Sequence, residues 1–258
     1  MLLYLSGLSL WVGIPLLVVL PALLALCGPV VVRRCFGYER LSGNNEIAGF
    51  KFATVGVIYS VMVAFAIIVV WEKFNEAEVA VVQEAGASAT LYRLAQGSEP
   101  EAAAMRAALA TYLKLAIERE WPAMARETES PETTLALDAL YTTAQARAHD
   151  ATTPAAILIE IFKQLDTITQ ERRVRLHLAT GIVPVVVWLV LSCGAILTVT
   201  FTFFFATKDL AAQTMMTGIL AVLVFMALFT IVSIDHPFTG PSNVGSEPLR
   251  AVLADLSG

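Results

Sequence analysis

The sequence predicts an all-α fold: a polytopic membrane protein with four transmembrane helices and an extramembrane helical bundle inserted between the second and third. Three observations predict it. The first is composition. Hydrophobic residues make up 57% of the 258-residue chain and charged residues 15%, with a mean hydropathy of +0.70, whereas soluble domains run at about 45–50% apolar and about 25% charged. A globule of this size cannot hide that excess, so lipid must be the solvent. The second is the presence of four charge-free runs, Leu8–Val32, Phe52–Trp71, Gly181–Ala206 and Thr214–Ile234, each reaching the roughly 20 apolar residues a spanning helix needs. The third is where the charge sits. Between Glu72 and Leu178 there are 11 Lys+Arg and 16 Asp+Glu, a net of −5, while the remaining residues hold 6 of each sign. The chain therefore divides into spans 1 and 2 (1–71), an acidic helical domain (72–178), spans 3 and 4 (179–235) and a C-terminal tail (236–258).

The first span ends at Arg33-Arg34. A cleaved signal peptide would carry a basic start and an apolar core of about 7–15 residues; nothing basic precedes Leu8 and the run is longer, so the segment is expected to be a retained helix. Pro15, Pro21 and Pro29 are expected to kink or break it, since each removes a backbone donor and crowds the preceding turn. The second span runs on through Glu72–Ala95, which has no Pro and only Gly86. From Ile47 to Ala95 that makes one rod of about 70 Å at about 1.5 Å per residue. Gly97-Ser98-Glu99-Pro100 stops it, and Pro100-Glu101 starts the next helix, Glu101–Trp121. Ser130-Pro131-Glu132 opens a third insert helix to about His149. Thr153-Pro154 opens a fourth, Ala155–Leu178, expected to feed directly into the third span with a kink at Pro184. No strand ladder and no internal repeat is visible.

Chemistry is sparse. His149, His177 and His236 have no metal-ligand spacing, Asp235-His236 is adjacent rather than one turn apart, and the Glu-x-x-His pairs of a di-iron bundle are missing. No Gly-x-Ser-x-Gly elbow, phosphate loop or dinucleotide fingerprint occurs. Cys27, Cys35 and Cys193 are an odd set without a disulfide or zinc pattern. No enzyme activity, metal or cofactor is expected, and an acidic chain of pI near 5.3 offers no footprint for nucleic acid.

The second span carries the information. Gly49, Ala53, Gly56, Ser60 and Ala64 recur at spacings of three and four, a small-residue stripe that permits close helix approach. Ile58, Met62, Phe65 and Val69 form a bulky apolar stripe. One reading has one stripe packing and the other meeting lipid. In an oligomer, the bulky stripe would instead make stacked apolar rings, which gate a pore by dewetting. Charges gather at the span edges: Asn44-Asn45-Glu46 before the second span, Glu72-Lys73 after it, and Arg172, Arg173 and Arg175 before the third. They anchor the interface, or the arginines pair with Glu72, Glu76 or Glu84 and lock two long helices together. Basic flanks nearly tie under the positive-inside rule: the first span alone favours an external N-terminus, while the Arg172–Arg175 cluster pulls the insert toward the cytoplasm.

The residues from about Asn44 to Gly240 resemble the bestrophin-like family of bacterial four-span membrane proteins. The resemblance rests on Asn45 and Gly49, Tyr59 and Phe65, Trp71-Glu72, Glu84-Ala85, Glu120-Trp121-Pro122, the run from Arg172 to Leu176, and Asp235, Pro237, Phe238 and Gly240. No calcium clasp or neck motif of the bestrophin channels is matched residue by residue. By analogy with those pentameric channels, the resemblance implies a homo-oligomeric ion channel in the bacterial inner membrane. Its partners would be the lipid bilayer, further copies of itself (a pentamer) and inorganic ions. Ile58, Met62 and Phe65 would form an apolar neck and the insert would be cytoplasmic. An acidic insert enriches cations rather than anions at a vestibule. A non-conducting scaffold or sensor whose insert binds a partner protein, and a small-solute transporter, are the alternatives.

Overall fold

The computed structural model describes residues 2–43, 45–97, 99–149 and 153–257; Asn44 and Ser98 of the motifs above lie outside them. Among the described residues the secondary structure is helical throughout. Four helices are long and apolar enough to cross a membrane: α1 (Leu10–Phe36), α2 (Asn45–Leu94), α6 (Val185–Thr202) and α7 (Leu210–Ile234). Between α2 and α6 lie α3 (Pro100–Leu115), α4 (Pro131–Ala148) and α5 (Ala155–Leu178), and α8 (Glu247–Ser257) closes the chain.

The chain forms two compact units, Met1–Glu72 with Gly181–Asp235, and Lys73–Thr180 with His236–Gly258. The division falls inside α2, a single helix of 50 residues and about 75 Å at about 1.5 Å per residue. The prolines of α1 do not break it. Pro15 opens a π turn, Pro15–Val19, that absorbs the missing donor, and Pro29 sits inside continuous helix.

In the first unit α1 packs on α7 through Ala22, Ala25 and Ala221, with Val199 of α6 completing the cluster. Small side chains let these helices approach closely. On α2, Tyr59 lays its ring against α6 at Gly194, where a Cβ would stand 2.6 Å from the ring, and its hydroxyl donates to the Leu191 carbonyl at 3.1 Å. Asn45 fixes the start of α2: its amide donates to the Ala206 carbonyl at 2.7 Å and accepts from the Ala206 N–H at 3.1 Å. Asp209 caps α7 by accepting from Ala211 N–H at 2.8 Å.

The expected direct run from the fourth insert helix into the third span does not occur. Helix α5 ends at Leu178, and α6 starts at Val185 after Pro184. Pro184 holds the residue before it out of helical conformation, so the N–H groups of Ile182 and Val183 have no helical acceptor and need another partner. Asp235 supplies it: one carboxylate oxygen accepts from Ile182 N–H at 3.1 Å and Val183 N–H at 2.8 Å.

The second unit is built around α2, α3, α4 and α5. Leu91, Met105, Leu109, Leu140, Ile161 and Leu165 are fully buried together. Ser130 caps α4 by accepting from Thr133 N–H, and Arg106 donates to the carbonyls of Ala95 and Gly97 beyond the end of α2. The segment from His236, expected as a separate tail, groups with this unit instead, because α8 buries Leu249 and Val252 in the same core.

Candidate functional site

On the membrane part of α2, the residues buried by the chain itself are Tyr59, Val63 and Val70. Their spacings of four and seven put them on one face at about 100° per residue. The small-residue stripe lies to one side of that face. Ala53, Ser60 and Ala64 are exposed and Gly49 and Gly56 half-buried; a Cβ at Gly56 would meet nothing within 4 Å among the described residues, and one at Gly49 only Phe205 at 3.9 Å. The stripe therefore packs little against the described residues of the chain.

The bulky stripe lies to the other side. Met62, Phe65 and Val69 line one groove with Val186, Val187 and Val190 of α6, and Ile58 and Met62 line a second with Leu189 and Leu197. Of the three neck candidates, Ile58 and Phe65 are exposed and Met62 is half-buried. Opposite the buried face stand Phe50, Val57, Val61 and Ile68, all exposed. An all-apolar helix has no polar side to orient it, so this third row carries no signal in the sequence.

The edge charges behave differently from one another. Glu72 and Arg173 are exposed, and Glu76 pairs with Lys73 one turn away at 2.6 Å. Glu84, Arg172 and Arg175 come together at the centre of the second unit with Glu120. Arg175 donates to Glu84 through Nε at 2.8 Å and Nη2 at 3.1 Å, and to Glu120 through Nη2 at 2.9 Å. Its Nη1 reaches the Met124 sulfur at 3.2 Å, and its guanidinium stacks 4.6 Å from the Trp121 ring centroid. Arg172 donates to Glu120 through Nε at 3.1 Å and Nη2 at 2.5 Å, and to the Thr134 hydroxyl at 2.9 Å. Tyr112 donates to Glu84 at 2.6 Å.

Two carboxylates and two guanidiniums make this cluster neutral, and its forked bonds use the geometry that only arginine offers. Burial works against the charge on Arg175, but Glu84 and Glu120 more than offset it and raise its pKa. Arg172 is raised likewise, with burial opposed by its hydrogen bonds to Glu120. Burial and the Glu84 charge push the Tyr112 hydroxyl well above its usual value of 10.0.

Local structure aims these groups. Ala77, Val81, Glu84, Ser88 and Leu91 are all buried and spaced to share one side of α2. On α3, the π turn Ala116–Glu120 spends one more residue than an α turn, which keeps Glu120 on the same side as Tyr112 and Ala116. Tyr112, Thr134 and Met124 were not singled out from sequence; a tyrosine within an apolar stripe is the only signal that marks one of them.

The remaining motif residues support the same region. Pro122 enters the short helix Trp121–Met124. The Trp121 ring packs edge-on against Phe238, 5.9 Å between centroids, and its N–H donates to the Val244 carbonyl at 3.2 Å. The Pro237 carbonyl accepts from Val244 N–H at 2.7 Å. Gly240, at φ +80°, turns the chain where a side chain is disfavoured. His236 Nε2 donates to Glu127 at 3.0 Å. Trp71 is exposed.

This architecture recurs in solved structures. A crystal structure of a variant of a bacterial bestrophin homologue from Klebsiella pneumoniae is 16% identical, covers 93% of this chain and 99% of its own, and superposes with a TM-score of 0.75. Another structure of a bacterial bestrophin homologue from that organism is 15% identical over 92% of this chain and 95% of its own, with a TM-score of 0.71. A variant described only as a membrane protein is 14% identical over 93% and 98%, with a TM-score of 0.76. At such identities the likeness shows the fold alone. No curated protein matches the chain by sequence. The Bestrophin-like domain model, however, matches residues 19–249, which include the whole of the region that carries the motifs described above. The chain is a membrane protein of the Bestrophin-like family.

Proposed function

We propose that the protein is the subunit of a homo-oligomeric ion channel whose pore is lined by α2. One observation carries this reading. In the membrane unit α2 fully buries a single face in its own chain, at Tyr59, Val63 and Val70, and leaves the other three apolar and mostly exposed. A ring of copies uses all of them. The small-residue stripe Gly49, Ala53, Gly56, Ser60 and Ala64 accepts a neighbour at close range. The grooves beside Ile58 and Met62 accept the neighbour on the other flank. The row opposite the buried face points to the axis. The neck is therefore assigned to Val57, Val61 and Ile68, with Phe65 at its border, while Ile58 and Met62 lie on the flank. Rings of such side chains gate by dewetting.

The second unit forms the vestibule on the cytoplasmic side of the bacterial inner membrane, and its net charge of −5 between residues 72 and 178 favours cations there. Purified protein in liposomes is expected to pass small monovalent cations. Val61→Ala and Phe65→Ala raise the flux several-fold, and Met62→Ala changes it little. If neither the wild type nor these variants conduct, the channel reading fails. If Met62→Ala alone opens the pore, the assignment of faces is wrong.

A further inference from the structure

Arg147 near the end of α4 has no counter-charge among the described residues. It is 9% exposed, and its Nε and Nη1 are buried with no hydrogen-bond partner among the described residues. Guanidinium does not shed its proton in proteins, so burial cannot be relieved by neutralisation as it is for lysine or histidine. Elsewhere in this unit, buried arginines are fully matched: Arg172 and Arg175 each have carboxylates. An orphaned buried donor in a folded protein calls for an occupant.

The surroundings of Arg147 define that occupant. The side chain lines a partly open cavity of about 200 Å³, together with Gln96, Glu99, Glu101, Thr153, Pro154 and Ile157. Glu99 and Glu101 belong to the start of α3, and Thr153, Pro154 and Ile157 to the start of α5. Neither helix start carries a side-chain cap hydrogen bond. Uncapped N–H groups and the positive end of the helix dipole favour an anion. Two helix starts and a guanidinium thus meet at one cavity. The opposing charges are Glu99 and Glu101. Glu99 is exposed and its carboxylate folds back on its own turn, against Gly97. No carboxylate lies within 4.0 Å of Arg147 among the described residues.

We infer that this cavity is a binding site for a small oxyanion of phosphate or carboxylate type, held by a forked contact from Arg147 between the starts of α3 and α5. Its volume admits an inorganic ion or a two- to three-carbon acid; drug-sized ligands and nucleotides occupy roughly 300–1,000 Å³. The site lies wholly in the second unit and stands whether or not the protein conducts.

The test uses full-length protein in detergent, with inorganic phosphate and acetate titrated at constant ionic strength and followed by calorimetry and thermal unfolding. Wild type is expected to bind at least one of them with a rising Tm, and the more effective ion tells a phosphate site from a carboxylate site. Arg147→Met keeps the aliphatic volume and is expected to weaken binding at least about tenfold, the worth of a charge-assisted hydrogen bond. Glu101→Gln, which keeps Arg147 and the fold, is expected to tighten binding about two- to threefold by removing a rim charge. The inference is overturned if wild type responds to neither ion, or if Arg147→Met binds as wild type does. It is also overturned if neutralising Glu99, Glu101 or Asp150 lowers Tm as much as Arg147→Met without tightening binding, for then the counter-charge belongs to the chain.

Discussion

The two units bury their residues on different principles. All but Leu191 of the largest fully buried side chains lie in the second unit, where even Arg175 is sealed from solvent and held by two carboxylates. In the first unit α2 turns Phe50, Val57, Val61, Phe65 and Ile68 outward. The second unit is completed by its own chain. The first is completed by lipid and, on the proposal above, by copies of itself. Substitutions in the second unit should therefore act on folding, and those on the outer faces of α2 on assembly and flux.

The largest expected effect is at the buried cluster. Glu84→Ala leaves Arg175 with an uncompensated charge and is expected to cost about 3–5 kcal/mol, read as a lowered Tm and poor recovery of folded protein. Glu84→Met with Arg175→Met removes both charges, and by the same principle it should recover most of that loss. Failure of the double variant to recover would mean that the cluster supplies stability and not only register. Gly194→Leu tests one of the first unit's close helix contacts. With a Cβ already 2.6 Å from the Tyr59 ring, overpacking should cost about 1–3 kcal/mol.

Smaller effects sharpen the contrast. Gly56→Leu adds a side chain where the subunit has open space, so Tm in detergent should change little while the oligomer dissociates, as light scattering on a sizing column would report. If the oligomer survives, the small-residue stripe is not an interface. Tyr112→Phe should cost about 0.5–1.5 kcal/mol for its hydrogen bond and alter the alkaline limb. The folded-state pKa of Tyr112 lies above the unfolded value of 10.0, so its contribution is complete below about pH 10 and falls away as pH rises through the folded value. The wild type should therefore lose more stability than Tyr112→Phe between neutral pH and pH 11.

Much of this was legible in the chain because it depends on short-range pattern. Uninterrupted apolar runs located the four spans, the absence of proline from Glu72–Ala95 foretold a single long α2, and Ser130-Pro131 and Thr153-Pro154 marked where α4 and α5 begin. What was not legible depends on partners far apart in sequence. The arginine cluster offered Glu72, Glu76 and Glu84 as equal candidates; Lys73 takes Glu76, and the actual partners are Glu84 and Glu120, 91 and 52–55 residues away. Sign of charge names a type of partner, never an address. The break before α6 was missed for the same reason, since the acceptor that makes it tolerable, Asp235, lies 52 residues beyond Val183. The orphaned guanidinium of Arg147 has no sequence signature at all.

The π turn at Ala116–Glu120 makes the number of residues, and not only their identity, a variable of this structure. Deleting one residue between Ala116 and Arg119 would close the turn to an ordinary α-helix and leave Glu120 and Trp121 facing the side they face now, because the turn already holds the extra residue. The same deletion in uninterrupted helix, at Ala85 or Gly86 of α2 for example, would swing Ser88 and Leu91 by about 100° relative to Glu84. The turn thus makes this stretch tolerant of a change in length that the rest of the core is not.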